Sequence, residues 1–321
     1  MTDLQYIGVS IVDVQSLADC LDVEVNTLVR VSRKASSYYH PCVPIVKPNG
    51  KVRQTYKVDS SLKVIQKALL ERILSRASFP PFLLGSIKDT ADQKRGYIVD
   101  AQLHALNKTL IGNDIADFFP SISQQLVFEI WCNFFRFPSD VSTILMNLVT
   151  NKGFIPQGAC TSSAIANFVF WDVESELVAE FENIGLVYSR YVDDINVSSK
   201  KVLNEQIIDY INCRIDKMLE KKGLHHNPSK RRVQRNGERR SVHNLNVNSG
   251  SATVSKQERD RIRSAVYECE RFAESKSVNN HYSELYAQTL GRINAICGLH
   301  PREGKKLIAR MKSIKILLTN Y

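Results

Sequence analysis

The chain has 321 residues, of which 43% are hydrophobic and 24% charged, an ordinary balance for a globular protein and one that excludes a disordered or fibrous chain. That length allows a sizeable core and more than one subdomain. A net charge of +10 and a pI of about 9.2 point to a polyanionic partner, nucleic acid first, with a merely basic surface as the alternative. Seven scattered cysteines without a CxxC pair speak against a zinc site and against a disulfide framework, and fit a reducing compartment. The first residues, "MTDLQYIGVSIVDVQ", are acidic where a signal peptide needs basic residues, and no apolar run approaches the ~20 residues that span a bilayer. The expectation is a cytoplasmic protein with no membrane partner.

Residues 10–35 have apolar positions at helical spacing around Leu17, Leu21, Val25 and Leu28. They superficially resemble a helix-turn-helix, but a single apolar face is what packing onto the next element requires. Residues 43–58 are two β-rich runs about Pro48-Asn49-Gly50, a hairpin signal, and carry Lys47, Lys51 and Arg53. An amphipathic helix capped by Ser60 or Ser61 is expected next, closed by "FPPF". Residues 85–108 are polar and have no clear assignment. "KTLIGNDIADFFPSIS" is a strand entering a turn, and residues 122–151 are helical. A loop rich in Gly, Pro and Ser then feeds one long helix, followed by "VYSRYVDDINVSS" as two strands. Residues 202–222 form an amphipathic helix ended by Gly223, a basic segment with short strands follows, and two or three helices complete the chain from Ser255 onward.

Asp193 and Asp194 occupy the turn of the predicted hairpin. Alone, such a pair is a solvated turn. Asp114, however, ends the apolar run "TLIGND". If that strand lies beside the hairpin, three carboxylates converge at one end of a sheet, and hard divalent cations resolve their repulsion. Mg²⁺ takes oxygen ligands and shares substrate phosphates, and two such ions ~4 Å apart bind the attacking and leaving oxygens of a phosphoryl displacement. The histidines show no metal-ligand spacing, so surface positions are expected for His225 and His226.

In order along the chain, "GKVRQTY", "NDIADFFPSI", "IPQGACTSS" and "YVDD" resemble the fingers motif, the first aspartate motif, the Pro-Gln-Gly box and the Tyr-x-Asp-Asp box of reverse transcriptases. The match is nearest to bacterial retron-type enzymes, kin to those of group II introns, and spans roughly residues 17–315. The resemblance implies an α+β right-hand polymerase: fingers over 1–108, a palm with an antiparallel sheet backed by helices over 109–245, and a helical thumb over 246–321. It implies an RNA-directed DNA polymerase using two Mg²⁺ ions, with Mn²⁺ as an alternative. Asp114 and Asp193 would bridge the metals, Asp194 would be more peripheral, and the carbonyl of Ile115 would complete one shell. Tyr191 would lie near the primer terminus or else serve as a sheet core residue. Phe119 would be the steric gate that rejects a ribose 2′-hydroxyl, leaving Phe118 to the core. Gln157 and Gly158 would approach the incoming nucleotide, Gly158 because glycine lets backbone come close. Arg53 and Lys47, with Lys51 as the alternative to Lys47, would clamp the triphosphate.

Lys230 would neutralise or protonate the departing pyrophosphate. Arg231, Arg232, Arg235, Arg239 and Arg240 would touch backbone phosphates or form a solvated basic loop. Arg292 and Lys305 are plausible RNA contacts in the thumb, whereas core packing is the safer role for Tyr282 and Tyr286. Two retron boxes are imperfect: "DAQLH" has Asp100 where the family has Asn, and "SVHNLNV" has His243 and Asn244 where it has Thr and Gly. The resemblance implies a noncoding RNA partner serving as template and primer, its DNA product, deoxynucleoside triphosphates as substrates, and an effector protein within an antiphage system. The rivals are a defence reverse transcriptase with different priming and an inactive RNA-binding scaffold; the second is disfavoured because all three aspartates are present.

Overall fold

The computed structural model describes residues 3–47, 50–275 and 280–319, with backbone alone at 280, 281 and 315–319. Two compact units form, one from residues 1–96 and 109–233, the other from 97–108 and 234–321. The segment 97–108 therefore packs with the C-terminal part, and the boundaries expected at 108 and 245 do not coincide with those of the compact units.

The first unit is organised on a four-stranded sheet. Its strands are β1 (Thr109–Asp114), β2 (Leu186–Tyr191), β3 (Asp194–Ser199) and β4 (Arg232–Gln234), in the order β4-β1-β3-β2. β3 pairs antiparallel with both β1 and β2. Every residue of β1 is buried. Inward positions on β2 and β3 are Leu186, Tyr188, Ile195 and Val197, the period-2 pattern of a sheet packed on helices. The helices Gln124–Glu129, Ser139–Val149 and Glu205–Glu220 bury Leu126, Leu145, Leu148, Ile211 and Ile215 in the same core. Trp131, Phe135 and Phe168 pack with Tyr6 in an aromatic cluster.

The hairpin expected at 43–58 exists. Ile45–Val46 pairs with Val52–Arg53, and Tyr39–Pro41 pairs with Tyr56–Val58; Pro48 and Asn49 of its turn lie outside the described residues. Other expectations need correction. The following helix runs Ser60–Arg72, so Ser60 is already helical; Asp59 holds the cap position and its side chain makes no capping bond. Beyond that helix Leu74–Arg76 makes a tighter three-residue turn, and Ala77–Ser78 pairs with Gln5–Tyr6. The polar stretch 85–108 contains a helix, Tyr97–Leu103. The long helix expected after the Pro-Gln-Gly loop is two, Ser162–Ala166 and Glu174–Asn183. Between them Phe168, Val169 and Phe170 are each fully buried, which a helix showing one face to solvent cannot provide. The chain tightens there into three-residue turns, with bonds from Phe168 N to Ile165 O and Trp171 N to Phe168 O.

In the second unit, Ser241–Val242, Leu245–Asn246 and Thr253–Val254 make a small antiparallel sheet. Three helices, Lys256–Glu274, Asn280–Cys297 and Pro301–Thr319, bury Ile262, Val266, Cys269, Ile293, Leu307 and Met311 against one another. Tyr282 is buried and Tyr286 donates to the carbonyl of Met311, so both tyrosines are packing residues. Among the described residues no helix is long and apolar enough to cross a membrane.

The Pro-Gln-Gly loop is tied by backbone to the strand Tyr56–Val58. Tyr56 N donates to Gln157 O at 2.8 Å, and a Cβ on Gly158 would stand 2.6 Å from the carbonyl oxygen of Tyr56. Gly158 also has φ +108, a conformation L-residues rarely adopt. The close approach that demands glycine is thus to the chain's own strand. Gly158→Ala is expected to lower unfolding stability by about 1–3 kcal/mol, through strain and the lost approach, measured by denaturant titration.

Candidate active site

The sheet register builds the site. Asp114 is the last residue of β1 and lies directly opposite Asp194, the first of β3. One residue further, Ile115 N donates to the carbonyl of Asp193 at 2.9 Å. Two hydrogen-bonded strands thus end at the same edge and set the backbones of Asp114, Asp193 and Asp194 beside one another. Between β2 and β3 stands a two-residue turn, Val192-Asp193, closed by Tyr191 opposite Asp194. Val192 has φ +60, an uncommon conformation for a β-branched residue, at the first central turn position where glycine is preferred. Tyr191 is half-buried.

Electrostatics at this edge are unbalanced. Asp114 is 7% exposed, and Lys230 Nζ sits 2.5 Å from its Oδ1. The Asp193 carboxyl is pushed above its ordinary pKa by burial first, then by the charges of Asp194 and Asp114; Lys230 opposes the shift. Lys230 itself is pulled down by burial, but its bond to Asp114 and the charges of Asp193 and Asp194 outweigh that and raise it overall. One ammonium thus faces three carboxylates. Among the described residues no group of three or more His, Cys, Asp or Glu side chains is drawn close enough to hold a metal ion. The donor chemistry nonetheless fits a hard divalent cation: carboxylate oxygens in excess of local positive charge, with Lys230 holding Asp114 where cationic charge is wanted.

Phe118 is 2% exposed and stacks on Phe170 at 6.3 Å between centroids. Phe119 is half-buried, tilted against Phe118 at 5.9 Å. Of the nucleotide residues expected from sequence, Lys47, Arg53 and Gln157 line one cavity of about 590 Å³, with Lys51, Asp117, Lys152 and Phe154. Phe119, Gly158, Ile115 and Lys230 do not line it. Lys51 reaches Asp117 at 3.7 Å.

The basic segment after Lys230 is less uniform than expected. Arg231 is turned inward, with Nε on Asn113 Oδ1 at 2.7 Å and Nη2 on Asp216 Oδ1 at 2.6 Å; His226 Nδ1 meets the same carboxylate at 2.9 Å. Arg240 is 4% exposed and donates to the backbone carbonyls of Arg235 and Glu238. Both arginines are occupied within the protein, so a solvated loop describes neither. Arg232 is exposed and its side chain lies across Gly112, where a Cβ would stand 2.6 Å from Arg232 Nε. Arg239, Arg292 and Lys305 are exposed; Arg292 lines an open groove of about 930 Å³ with Lys256, Arg261 and Gln288 in the second unit.

Two features were not anticipated. Arg190, fully buried, makes a two-pronged ion pair with Glu174 directly behind the aspartate turn. The signal was an arginine at an inward position of an otherwise apolar strand, which demands a buried carboxylate. The second is that the two departures from the retron boxes touch. His243 Nε2 lies 2.6 Å from Asp100 Oδ2, and His104 lies 3.5 Å from Asp100 Oδ1, so an aspartate for asparagine and a histidine for threonine meet in one hydrogen-bonded contact in the second unit.

Residues 45–258 match the family described as reverse transcriptase (RNA-dependent DNA polymerase), enzymes that work with divalent metal ions. The chain is 30% identical over 324 residues to the Retron Se72 reverse transcriptase of Salmonella heidelberg (strain 579083-10), covering 100% of this chain and 84% of that one. It is 27% identical over 314 residues to the Retron Ec48 reverse transcriptase of Escherichia coli, covering 95% of this chain and 76% of that one. Among solved structures, apo telomerase from Candida tropicalis, truncated from its C-terminal domain, aligns with a TM-score of 0.43 at 13% identity over 72% of this chain and 59% of that one. The chain belongs to the reverse transcriptase family, as an RNA-directed DNA polymerase of the retron type with the mixed helix-and-sheet architecture of a right-hand polymerase.

Proposed function

We propose that this chain copies a partner noncoding RNA into a short DNA that stays joined to it, with Asp114, Asp193 and Asp194 as the catalytic carboxylates. The single observation that carries the assignment of residues is the register that sets Asp114 against Asp194 and Ile115 against Asp193. Fingers, palm and thumb are assigned to 1–108, 109–245 and 246–321 as functional regions. Mg²⁺ is the proposed ion, with Mn²⁺ as a substitute, held by the three carboxylates and the carbonyl of Ile115. When bound, two such ions supply Lewis acidity and charge neutralisation at the attacking and leaving oxygens.

The chain's own residues do the rest. The primer hydroxyl gives up its proton to solvent as its oxygen bonds to the α-phosphorus of a deoxynucleotide, the α–β bridge breaks, and pyrophosphate leaves. Lys230, kept charged by its carboxylate neighbours, balances the anionic charge of the leaving group. Lys47 and Arg53 hold the triphosphate from the hairpin, and Gln157 orients the sugar across the same cavity. Gly158 is assigned to the rim of that nucleotide site, its backbone fixed by Tyr56. Phe119 closes the space beside C2′, braced by Phe118. Tyr191 borders the primer end. Arg232 and Arg239, with Arg292 and Lys305 in the thumb, contact nucleic-acid phosphates. Arg231, Arg235 and Arg240 shape the segment that presents them. The DNA–RNA product acts in antiphage defence in the bacterial cytoplasm, bound by an effector protein.

The experiment is to extract and sequence the nucleic acid copurifying with the protein from its native host, with Asp193→Asn alongside. A short DNA joined to one RNA, present in wild type and absent from the variant, is expected. Untemplated or protein-linked DNA would move the assignment to another priming chemistry, and RNA without DNA in both samples would leave only a scaffold.

Asp193→Asn should also raise the melting temperature of the metal-free protein while abolishing synthesis. The folded state raises the pKa of Asp193, so its ionised form opposes folding above the ordinary carboxylate range, and a neutral amide removes that opposition. Differential scanning calorimetry in EDTA reads the shift. Phe119→Ala is expected to cut discrimination between dNTP and rNTP by about tenfold or more, with dNTP incorporation reduced far less, in single-nucleotide extension assays.

A further inference from the structure

The Val192-Asp193 turn is held in an unfavourable conformation, and something must hold it. Arg190 is fully buried beneath it. Its Nε donates to Glu174 Oε1 at 2.6 Å and its Nη2 to Glu174 Oε2 at 2.8 Å. Tyr188 OH donates to the same Oε1 at 2.7 Å. Two further guanidinium hydrogens go to backbone: Nη1 donates to the carbonyl of Val192 and Nη2 to that of Asn167, both at 3.2 Å. Asn167 in turn donates from Nδ2 to the carbonyl of Gly85 at 2.9 Å. A Cβ on Gly85 would meet both Val192 Cγ2 and Val192 N at 2.7 Å, so the turn is pressed against bare backbone. The guanidinium carbon also lies 5.2 Å from the centroid of Phe170, whose other neighbour is Phe118.

We propose that Arg190, clamped by Glu174, is a positioning residue: through the Val192 carbonyl it holds the strained turn in the one arrangement that presents the Asp193 carboxylate beside Asp114. A buried ion pair of this kind adds little net stability over an apolar pair, because desolvation offsets the attraction. What an apolar pair cannot do is donate to the Val192 carbonyl. The position of that carbonyl sets the plane of the Val192–Asp193 peptide, and hence where the Asp193 side chain starts. The proposal rests on the assignment of Asp193 as a catalytic carboxylate.

Three variants separate positioning from mere packing. Arg190→Lys keeps a cation for Glu174 but loses the planar fork that also reaches Val192. Glu174→Gln/Arg190→Met removes both charges together, avoiding an uncompensated buried ion. The third adds Val192→Gly to that pair, because glycine adopts the turn without help. Each is assayed for melting temperature, kcat, KM for dNTP, primer-template affinity, and Mn²⁺ affinity of the nucleic-acid-free protein by electron paramagnetic resonance.

For Arg190→Lys and the double variant, the expected result is a folded protein with wild-type primer-template affinity and KM. In both, kcat falls about tenfold or more and Mn²⁺ binding weakens in parallel. The glycine is expected to restore part of both in the triple variant. Wild-type kcat and Mn²⁺ affinity in folded Arg190→Lys, or a loss in the double variant that the glycine leaves unchanged, overturns the proposal. If the double variant does not fold, Arg190→Lys alone decides. Asp193→Asn is run in parallel: if it retains polymerase activity, the catalytic assignment fails, whereas an inactive Asp193→Asn beside a fully active Arg190→Lys sinks the positioning role alone.

Discussion

The site depends on one pairing, the hydrogen-bonded register between Thr109–Asp114 and Asp194–Ser199. Side chains of a strand alternate between faces, so slipping this register by one residue would turn Asp114 or Asp194 to the wrong side of the sheet and break the convergence. The register is held by the apolar inward set of Ile111, Ile195 and Val197, which has no part in chemistry. Burial first, and then the charges of Asp194 and Asp114, push the pKa of Asp193 up. Core packing therefore holds an electrostatically unfavourable group in place, and the excess negative charge is what gives the edge its appetite for cations.

That division of labour explains which features were legible in the sequence. The strands, the hairpin carrying Lys47 and Arg53, and the three C-terminal helices follow from local periodicity and turn residues, which are written in consecutive letters. Asp114, Asp193 and Asp194 were legible because their spacing along the chain follows an order of motifs. The assignment of Phe118 to the core was legible too, and its 2% exposure agrees with it.

What stayed hidden was long-range pairing of polar groups. Arg231 and Arg240 belong to a run that looks like a solvated basic loop, yet Arg231 binds Asn113 and Asp216, and the buried Arg240 donates from Nη1 to the carbonyl of Arg235. No local pattern says that Asp216 waits for Arg231, 15 residues away. Glycine at 158 was expected to make room for a nucleotide, and the structure gives it a nearer reason, the carbonyl of Tyr56. Asp100 and His243, separated by 143 positions, looked like two independent departures from a family pattern, and are one contact. The break at 167–173 was missed because a helix-like composition conceals a demand for burial on every side.

The buried pair of Arg190 and Glu174 joins these two lessons. It adds little net stability, since both partners lose hydration. It lies where the chain can least afford ambiguity: Val192 takes a backbone conformation that its own side chain disfavours, at the residue before Asp193. A turn built with glycine would form without support, and would also be free to leave that geometry. A β-branched residue forced into it by a fixed guanidinium below and bare Gly85 backbone beside it has nowhere else to go. The contacts on both sides are the means by which the two-residue connection is held in one geometry. The aromatic stack from Arg190 through Phe170 to Phe118 places the same guanidinium behind the segment that carries Phe119. One buried cation thus stands behind both the carboxylate turn and the ring assigned to sense the sugar, which is why its loss should reach chemistry before it reaches the fold.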